Sequence, residues 1–481
     1  MFLISGEPGI GKTRLIEEIG ALAQRQELRV LLGRCVDDDE AVPYLPFVEM
    51  LESCATGFAN GSALRTLLGE EGPELARLMP KLRRLMPDLP QPPELPAEQA
   101  RRNLYNCFRD FVGRLAREQA TLLIVEDLHW ADDSTLSLLD HLAQRLRDVP
   151  LLIIGTYRDF QASLTSLLGQ TLENLLRRRV TDQIALKRLS RDEVSQMLKV
   201  LGGHKPPSAL ANQVYDETAG NPFFVEELFR HLVEENRFFD TVGRFRTELN
   251  ITEGDVPRNV RLVICRRLAR LQENTRKVLE VAAVIGRVFE FGLLLRSVEV
   301  NSDSAIQSLK EADDAGLISS CSPSAQARFE FSHELIRQTI LSELPVPRRQ
   351  VLHLEVAGAI ERLNDSGQHH HAAILAHQLL QAGAAAEPTR TLKSLVAAAE
   401  SAKEQQAFRE AEKDYRHALL ILKELPETAE RDARELDLLM KVVPLVWTNQ
   451  GFGGEQLQEL NARCRVLAER TGELSSLIND A

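Results

Sequence analysis

Gly6-Glu7-Pro8-Gly9-Ile10-Gly11-Lys12-Thr13 has the form G-x-x-x-x-G-K-[ST], and its reading decides the fold. It follows a short apolar run, Phe2-Leu3-Ile4, and opens into Leu15, Ile16, Ile19 and Leu22 at helical spacing. Glycines let a backbone curl until successive N–H groups point into one concavity. A helix starting near Gly11 aims its positive end at the same point. In such a loop Lys12 supplies a mobile charge for the β- and γ-phosphates of a nucleotide, and Thr13 offers its hydroxyl to Mg²⁺. Glu7, Pro8, Ile10 and Arg14 fill the remaining positions of the candidate loop.

Further strands are expected at 28–32, at Leu122-Leu123-Ile124-Val125, at Leu151-Leu152-Ile153-Ile154 and near 183–186. Each is short and continuously apolar, as in a parallel sheet covered by helices on both faces. The third strand runs on into Glu126-Asp127, which places carboxylates at the sheet's carboxyl edge, where ligands bind in such folds. Glu126 is expected to hold Mg²⁺ through water, and Asp127 to polarise an attacking water or share the metal. Asp132 or Asp133 then caps a helix with Leu136, Leu139, Leu142 and Leu146 facing inward. His129 is read as a packing or positioning residue in preference to a catalytic one.

An insertion between the second and third strands carries helices over about 46–55 and 98–117, around an exposed Pro-rich stretch at 87–96. From Ser190 the chain turns helical. Three helical patterns within 256–331, then Gly316-Leu317-Ile318 and Arg328-Phe329-Glu330-Phe331, give the outline of a winged helix. Beyond about 348 the chain is helical throughout. Ala411, Tyr415 and Ala418 keep the spacing of a tetratricopeptide second helix, with Ala398, Ala399 and Ala402 on the preceding one.

The chain has 481 residues, enough for about three domains of roughly 100–200 residues. With 70 acidic and 58 basic residues its net charge is -12, which disfavours non-specific nucleic-acid or membrane binding by the whole chain. No C-x-x-C pair occurs among the six scattered cysteines, so a zinc ribbon or disulfide framework is excluded and a cytoplasmic setting is expected. His369-His370-His371 and Asp37-Asp38-Asp39-Glu40 are read as solvated loops. Arg258, Arg261, Arg266, Arg267 and Arg270 on one helix are the only candidate DNA-facing stripe.

GEPGIGKTRL, YLPFVEML, LLIVEDLHWADDSTL, LLIIGTYRD and ETAGNPFFVEEL occur in that order. They are followed by VPRNVRLVICRRLARL, VLEVAAVIGRVFEFGLL and FEFSHELIRQTILSELPVPRRQVLH. The series resembles the AAA-type ATPase module of signal-transduction ATPases with numerous domains (STAND), found in LuxR-type regulators similar to the maltose regulator and beside class III nucleotide cyclases. The resemblance implies an α/β P-loop NTPase of the ASCE type over 1–189, an all-α lid over 190–236, a winged helix over 237–347 and truncated tetratricopeptide-like repeats over 348–481. It implies ATP/ADP and Mg²⁺ as ligands, and slow hydrolysis that resets a signalling switch. A protein or small-molecule signal would reach the repeats, the ATP state would self-associate, and nucleic acid would be met only through a domain beyond this sequence. The alternatives are a fragment of a LuxR-type transcription regulator, the regulatory part of a class III cyclase, or a scaffold with a vestigial site.

Residue by residue, Arg158 looks like the sensor-1 arginine that feels the γ-phosphate; a surface arginine ending a strand is the competing reading. Pro222 is similar to the lid proline that packs on adenine, against a simple helix break. His333 resembles the winged-helix histidine that touches the β-phosphate of ADP, against a core histidine. The family's helix and G-R-E-type segment ahead of the first strand have no counterpart before Gly6. A fragment or a misassigned start is therefore expected.

Overall fold

The computed structural model describes residues 1–36, 42–57, 61–146, 148–158, 167–178, 181–234, 238–239, 245, 260–298, 300–321, 327–364, 372–450 and 455–471. Asp37-Asp38-Asp39-Glu40, His369-His370-His371 and Arg258 lie outside these residues.

The first part alternates strands and helices: β1 (Phe2–Ser5), α1 (Lys12–Arg25), β2 (Arg29–Arg34), α2 (Leu45–Gly57), α3 (Gly61–Leu68), α4 (Gly72–Leu78), α5 (Lys81–Leu85), α6 (Ala97–Glu118), β3 (Thr121–Glu126), α7 (Asp133–Arg145), β4 (Leu151–Tyr157), α8 (Leu167–Arg177) and β5 (Asp182–Ala185). The five strands form one parallel sheet in the order β2-β3-β4-β1-β5. Every residue of β3 is buried, as its unbroken apolar run demands. β4 lies between the strand that feeds the glycine loop and the strand that ends in carboxylates. A crevice therefore opens at the carboxyl edge, with the loop on one side and Glu126 and Asp127 on the other. The insertion holds three helices, α3 to α5, that periodicity did not separate; their short lengths blur it. The stretch 87–96 is irregular and mostly exposed.

Three helices follow: α9 (Arg191–Gly202), α10 (Ser208–Thr218) and α11 (Pro222–Glu234). Ser190 and Glu193 form a reciprocal cap at the start of α9. Next come α12 (Val260–Arg270), α13 (Glu273–Ile285), β6 (Val288–Glu290), α14 (Phe291–Ser297), α15 (Ser302–Asp314), β7 (Ile318–Cys321), β8 (Arg328–Phe331) and α16 (Glu334–Glu343). The expected hairpin is here a three-stranded antiparallel sheet, β6-β8-β7, and four helices precede the hairpin where three were expected. β6 is only three residues long and too short to show a period. Arg267 is buried and ion-paired with Glu227 on α11, so it is no part of a DNA-facing stripe.

The remainder is helical: α17 (Val346–Asn364), α18 (Ala372–Ala382), α19 (Pro388–Glu404), α20 (Phe408–Glu424), α21 (Ala429–Gln450) and α22 (Glu455–Thr471). Ala398, Ala399 and Ala402 on α19 and Ala411, Tyr415 and Ala418 on α20 are all buried, and the Tyr415 hydroxyl donates to Glu400. Small residues let these two backbones approach, and the tyrosine fills the gap beside them.

The same apolar core runs from the sheet, through Leu123 and Val125, to Leu395, Tyr415 and Val442 of the last helices. The amino ends of α7 and α20 meet there. Asp132 accepts from the Thr135 amide at 2.8 Å and caps α7. Glu410 accepts from the Ser134 amide at 3.1 Å and from its hydroxyl at 2.7 Å. Arg409 pairs with Asp133 at 2.8 Å. Burial, reinforced by the charge of Glu410, pushes the Asp132 carboxyl up to about 8, and burial pushes Asp414 up to about 7.

Both folded values lie above an unfolded carboxylate near 4, so the folded chain holds extra protons between the two limits. That stability is complete below about pH 4 and is lost as pH rises through about 7 to 8. Above about pH 7 the buried histidines are neutral in both the folded and the unfolded chain, so there we expect the thermal midpoint to fall up to about pH 8.5, and Glu410→Gln to flatten that slope; an unchanged slope in scanning calorimetry of the variant would contradict it.

Candidate functional site

The loop after β1 takes its shape from three glycines with positive φ: 156° at Gly6, 78° at Gly9 and 99° at Gly11. A Cβ on Gly9 would stand 2.8 Å from Cβ of Phe223, so the segment before α11 is seated directly on the loop. The Asn221 side-chain amide donates to the Pro8 carbonyl at 3.1 Å, and the Phe223 amide to the Gly9 carbonyl at 3.2 Å. Pro222 begins α11 between these two contacts, where its missing N–H costs nothing. Asn221 and Phe223, not singled out from sequence, are the residues that touch the loop.

Lys12 is buried, and its ammonium donates to the Gly6 carbonyl at 2.8 Å and the Glu7 carbonyl at 3.0 Å. It thus turns back onto the loop's own oxygens. Thr13 follows in the first turn of α1, and Ile10 is buried beneath the loop. Glu7 points outward to Arg188 at 2.7 Å. Arg14 is not brought to the site: its side chain is 75 % exposed and pairs with Glu18 at 2.6 Å.

Across the crevice both carboxylates hold arginines. Arg34 ends β2; β2 packs so closely on the start of α2 that a Cβ on Gly33 would stand 2.2 Å from the Pro46 carbonyl oxygen. Arg34 donates through Nε to Glu126 Oε2 at 2.8 Å and through Nη1 to Glu330 on β8. Its amide donates to Glu49 at 2.9 Å, whose carboxyl burial pushes up to about 7. Glu126 is 1 % exposed, and its Oε1 has no hydrogen-bond partner among the described residues.

Asp127 lies in the left-handed region with φ of 57°, a conformation costing a non-glycine residue on the order of 1 kcal/mol. Its amide donates to the Thr156 hydroxyl at 2.9 Å, and its Oδ2 accepts from Arg287 at 2.9 Å. Thr156 thus holds the turn that aims Asp127 away from the strand. Arg287 stands just before β6, and its carbonyl accepts from the Phe331 amide at 3.0 Å.

Two histidines close the site. His129 Nδ1 is 4.0 Å from Asp127 Oδ1, and neither ring nitrogen has a hydrogen-bond partner among the described residues. His333 caps α16, accepting at Nδ1 from the Leu335 amide at 3.1 Å, and its ring lies 4.4 Å from that of Phe223. Burial pushes both histidines down to about 3, helped by the cations Lys12, Arg158 and Arg287 and opposed by Asp127. Both are therefore neutral at pH 7. Arg158, directly after β4, is buried, with its guanidinium 5.7 Å from the Trp130 ring centre. The fold thus gathers Lys12, Arg158, Arg287, His129, His333 and Asp127 within one electrostatic neighbourhood.

The Thr13 hydroxyl, the unpaired Glu126 Oε1 and Asp127 are hard oxygens, of the chemistry that fits Mg²⁺. Among the described residues no group of three His, Cys, Asp or Glu could hold a metal ion.

Residues 1–154 match the AAA ATPase domain family. An uncharacterized protein of Rhizobium meliloti is 24 % identical over 491 residues, covering 97 % of this chain and 45 % of that protein. The chain thus spans less than half the length of the curated relative it matches. Among solved structures, a signal transduction ATPase with numerous domains carrying a tetratricopeptide repeat sensor, from Pyrococcus horikoshii, is 13 % identical. It covers 98 % of this chain and 62 % of its own, with a TM-score of 0.47. The Thermotoga maritima RuvB Holliday junction branch migration motor is 16 % identical, covering 72 % of this chain and 88 % of its own, with a TM-score of 0.28. No helix among the described residues is long and apolar enough to cross a membrane.

Removing Arg34 would leave Glu126 and Glu330 without their cation. Arg34→Met is expected to cost about 3–5 kcal/mol in denaturant unfolding, and adding Glu126→Gln to recover part of it. A cost under about 1 kcal/mol would show that the bridge is not a structural element of this fold.

Proposed function

We propose that this chain is an ATP-driven signalling switch whose ATPase module is governed by the helical parts behind it. The observation that carries the reading is the seating of the Asn221–Phe223 segment on the glycine loop, with the His333 ring packed at a tilt against Phe223. A phosphate chain in the loop would offer the Lys12 ammonium stronger acceptors than two carbonyls. Lys12 then binds the β- and γ-phosphates, and the amides of 9–13 bind the same oxygens. Thr13 and Glu126 would hold Mg²⁺, which would supply charge neutralisation to those phosphates. Asp127 orients the attacking water and takes up its proton, while Arg158 stabilises charge on the γ-phosphate.

His333, neutral and at the amino end of α16, is placed to answer a diphosphate. Its module carries Glu330, which shares Arg34 with Glu126, and Arg287, which holds Asp127. With no nucleotide bound, the closed arrangement thereby ties Asp127 to Arg287 and withholds it from chemistry. A signal binding the repeats acts through the α7–α20 contact and favours opening, exchange for ATP and self-association. Moving such an equilibrium from mostly closed to mostly open needs about 5 kcal/mol of differential binding, within reach of one γ-phosphate and one partner. Transcription regulation or control of a cyclase would lie with sequence outside this chain.

Lys12→Ala is expected to lower ATP affinity beyond detection in a calorimetric titration; unchanged affinity would remove the nucleotide reading. Asp127→Asn is expected to retain binding and lose at least about a hundredfold in phosphate release. Equal turnover in parent and variant would make Asp127 a purely structural residue.

A further inference from the structure

Arg287 was not selected by any motif, yet it reaches the centre of the site from outside the ATPase module. Its backbone is tied to β8 through the Phe331 amide, and its guanidinium crosses to Asp127 at 2.9 Å. The side chain is largely buried, at 18 % exposure, and its Nε has no partner among the described residues. One face of a planar five-donor fork is therefore engaged by a carboxylate, and another donor stands desolvated and unsatisfied. An arginine buried this way costs free energy unless a second acceptor completes it.

The surroundings say what kind of acceptor fits. Lys12 of the phosphate-type loop and Arg158 act on the same two histidines as Arg287 does. Those histidines have hydrophobic and aromatic neighbours and carry no charge to match a guanidinium. Asp127 is the single carboxylate within this group, and it keeps Arg287 at the cost of a left-handed backbone. An anion with several oxygens, lying along the loop, would give the fork the bidentate partner that it lacks.

We propose that Arg287 is a phosphate-binding residue of the nucleotide site, held by Asp127 until a nucleoside di- or triphosphate takes its guanidinium. The inference rests on the reading that the loop binds a nucleotide. No bond is made or broken in the step: one ion pair is exchanged for another. The exchange has two consequences. It fastens the three-stranded module to the nucleotide through Arg287, and it frees Asp127 for the water. Phosphate occupancy and availability of the base are thereby joined in one residue.

The test is calorimetric titration of ADP into the full chain in EDTA, which removes any metal role of Asp127. Arg287→Ala should weaken ADP by about tenfold or more, and Arg287→Lys by less, since it keeps charge but loses the fork. Asp127→Asn should tighten ADP in the parent, because Arg287 is released, and should do so by a clearly smaller factor in the Arg287→Ala background. Parent-like affinity in Arg287→Ala, or an equal effect of Asp127→Asn in both backgrounds, would overturn the proposal. Should Lys12→Ala bind ADP as the parent does, it is the nucleotide reading itself that fails. Circular dichroism of each variant confirms that the comparison is made on folded protein.

Discussion

A buried and a half-buried carboxylate at the end of one strand must each be paired, and the rest of the molecule is arranged around that need. Glu126 and Asp127 sit where β3 leaves the sheet, at a depth where an unpaired charge costs several kcal/mol. Arg34 answers the first and Arg287 the second. Neither partner is local. Arg34 comes from the neighbouring strand and reaches on to Glu330, while Arg287 comes from the far side of the helical region. Charge pairing in the crevice therefore fastens the three-stranded sheet to the ATPase module, and apolar packing alone does not account for their register.

The same economy explains the neutral histidines. His129 and His333 lie among three cations and little water, so protonation would add a fourth positive charge to a desolvated pocket. Kept neutral, His333 accepts the Leu335 amide and starts α16, and its ring packs on Phe223. A chain of contacts then runs from the loop, through Asn221 and Phe223, to the module that holds Asp127 through Arg287 and shares Arg34 with Glu126. The repeats join it separately, where Glu410 caps α7 one turn beyond the acidic strand end. Two routes thus lead from peripheral helices to the carboxylate edge of the sheet, one through side-chain charge and one through a helix cap.

Local regularities made much of this legible beforehand. The five strands, the loop and the acidic strand end are each written in consecutive residues, because β-strands read in runs and the glycine loop has fixed spacing. Most helices longer than ten residues were visible by period, though α8 was not, whereas α3 to α5 and β6 were too short to show one. Arg14 was carried into the candidate site by adjacency to Thr13, but one residue rotates a helix by about 100° and sends its side chain to solvent. Asn221 and Phe223 flanked a proline that drew attention to itself, and their contacts depend on where that turn lands.

What the sequence determined alone was the alternating α/β order, the amide-lined loop and the presence of two acids at a strand end. Those follow from short-range chemistry: apolar runs, glycine φ freedom and helix dipoles. What only the tertiary structure decided was who pairs with those acids. Arg34 and Glu126 lie 92 residues apart, and Arg287 and Asp127 160 apart. No spacing rule links such residues; they meet because the sheet order sets β2 beside β3 and because the three-stranded module folds back across the crevice.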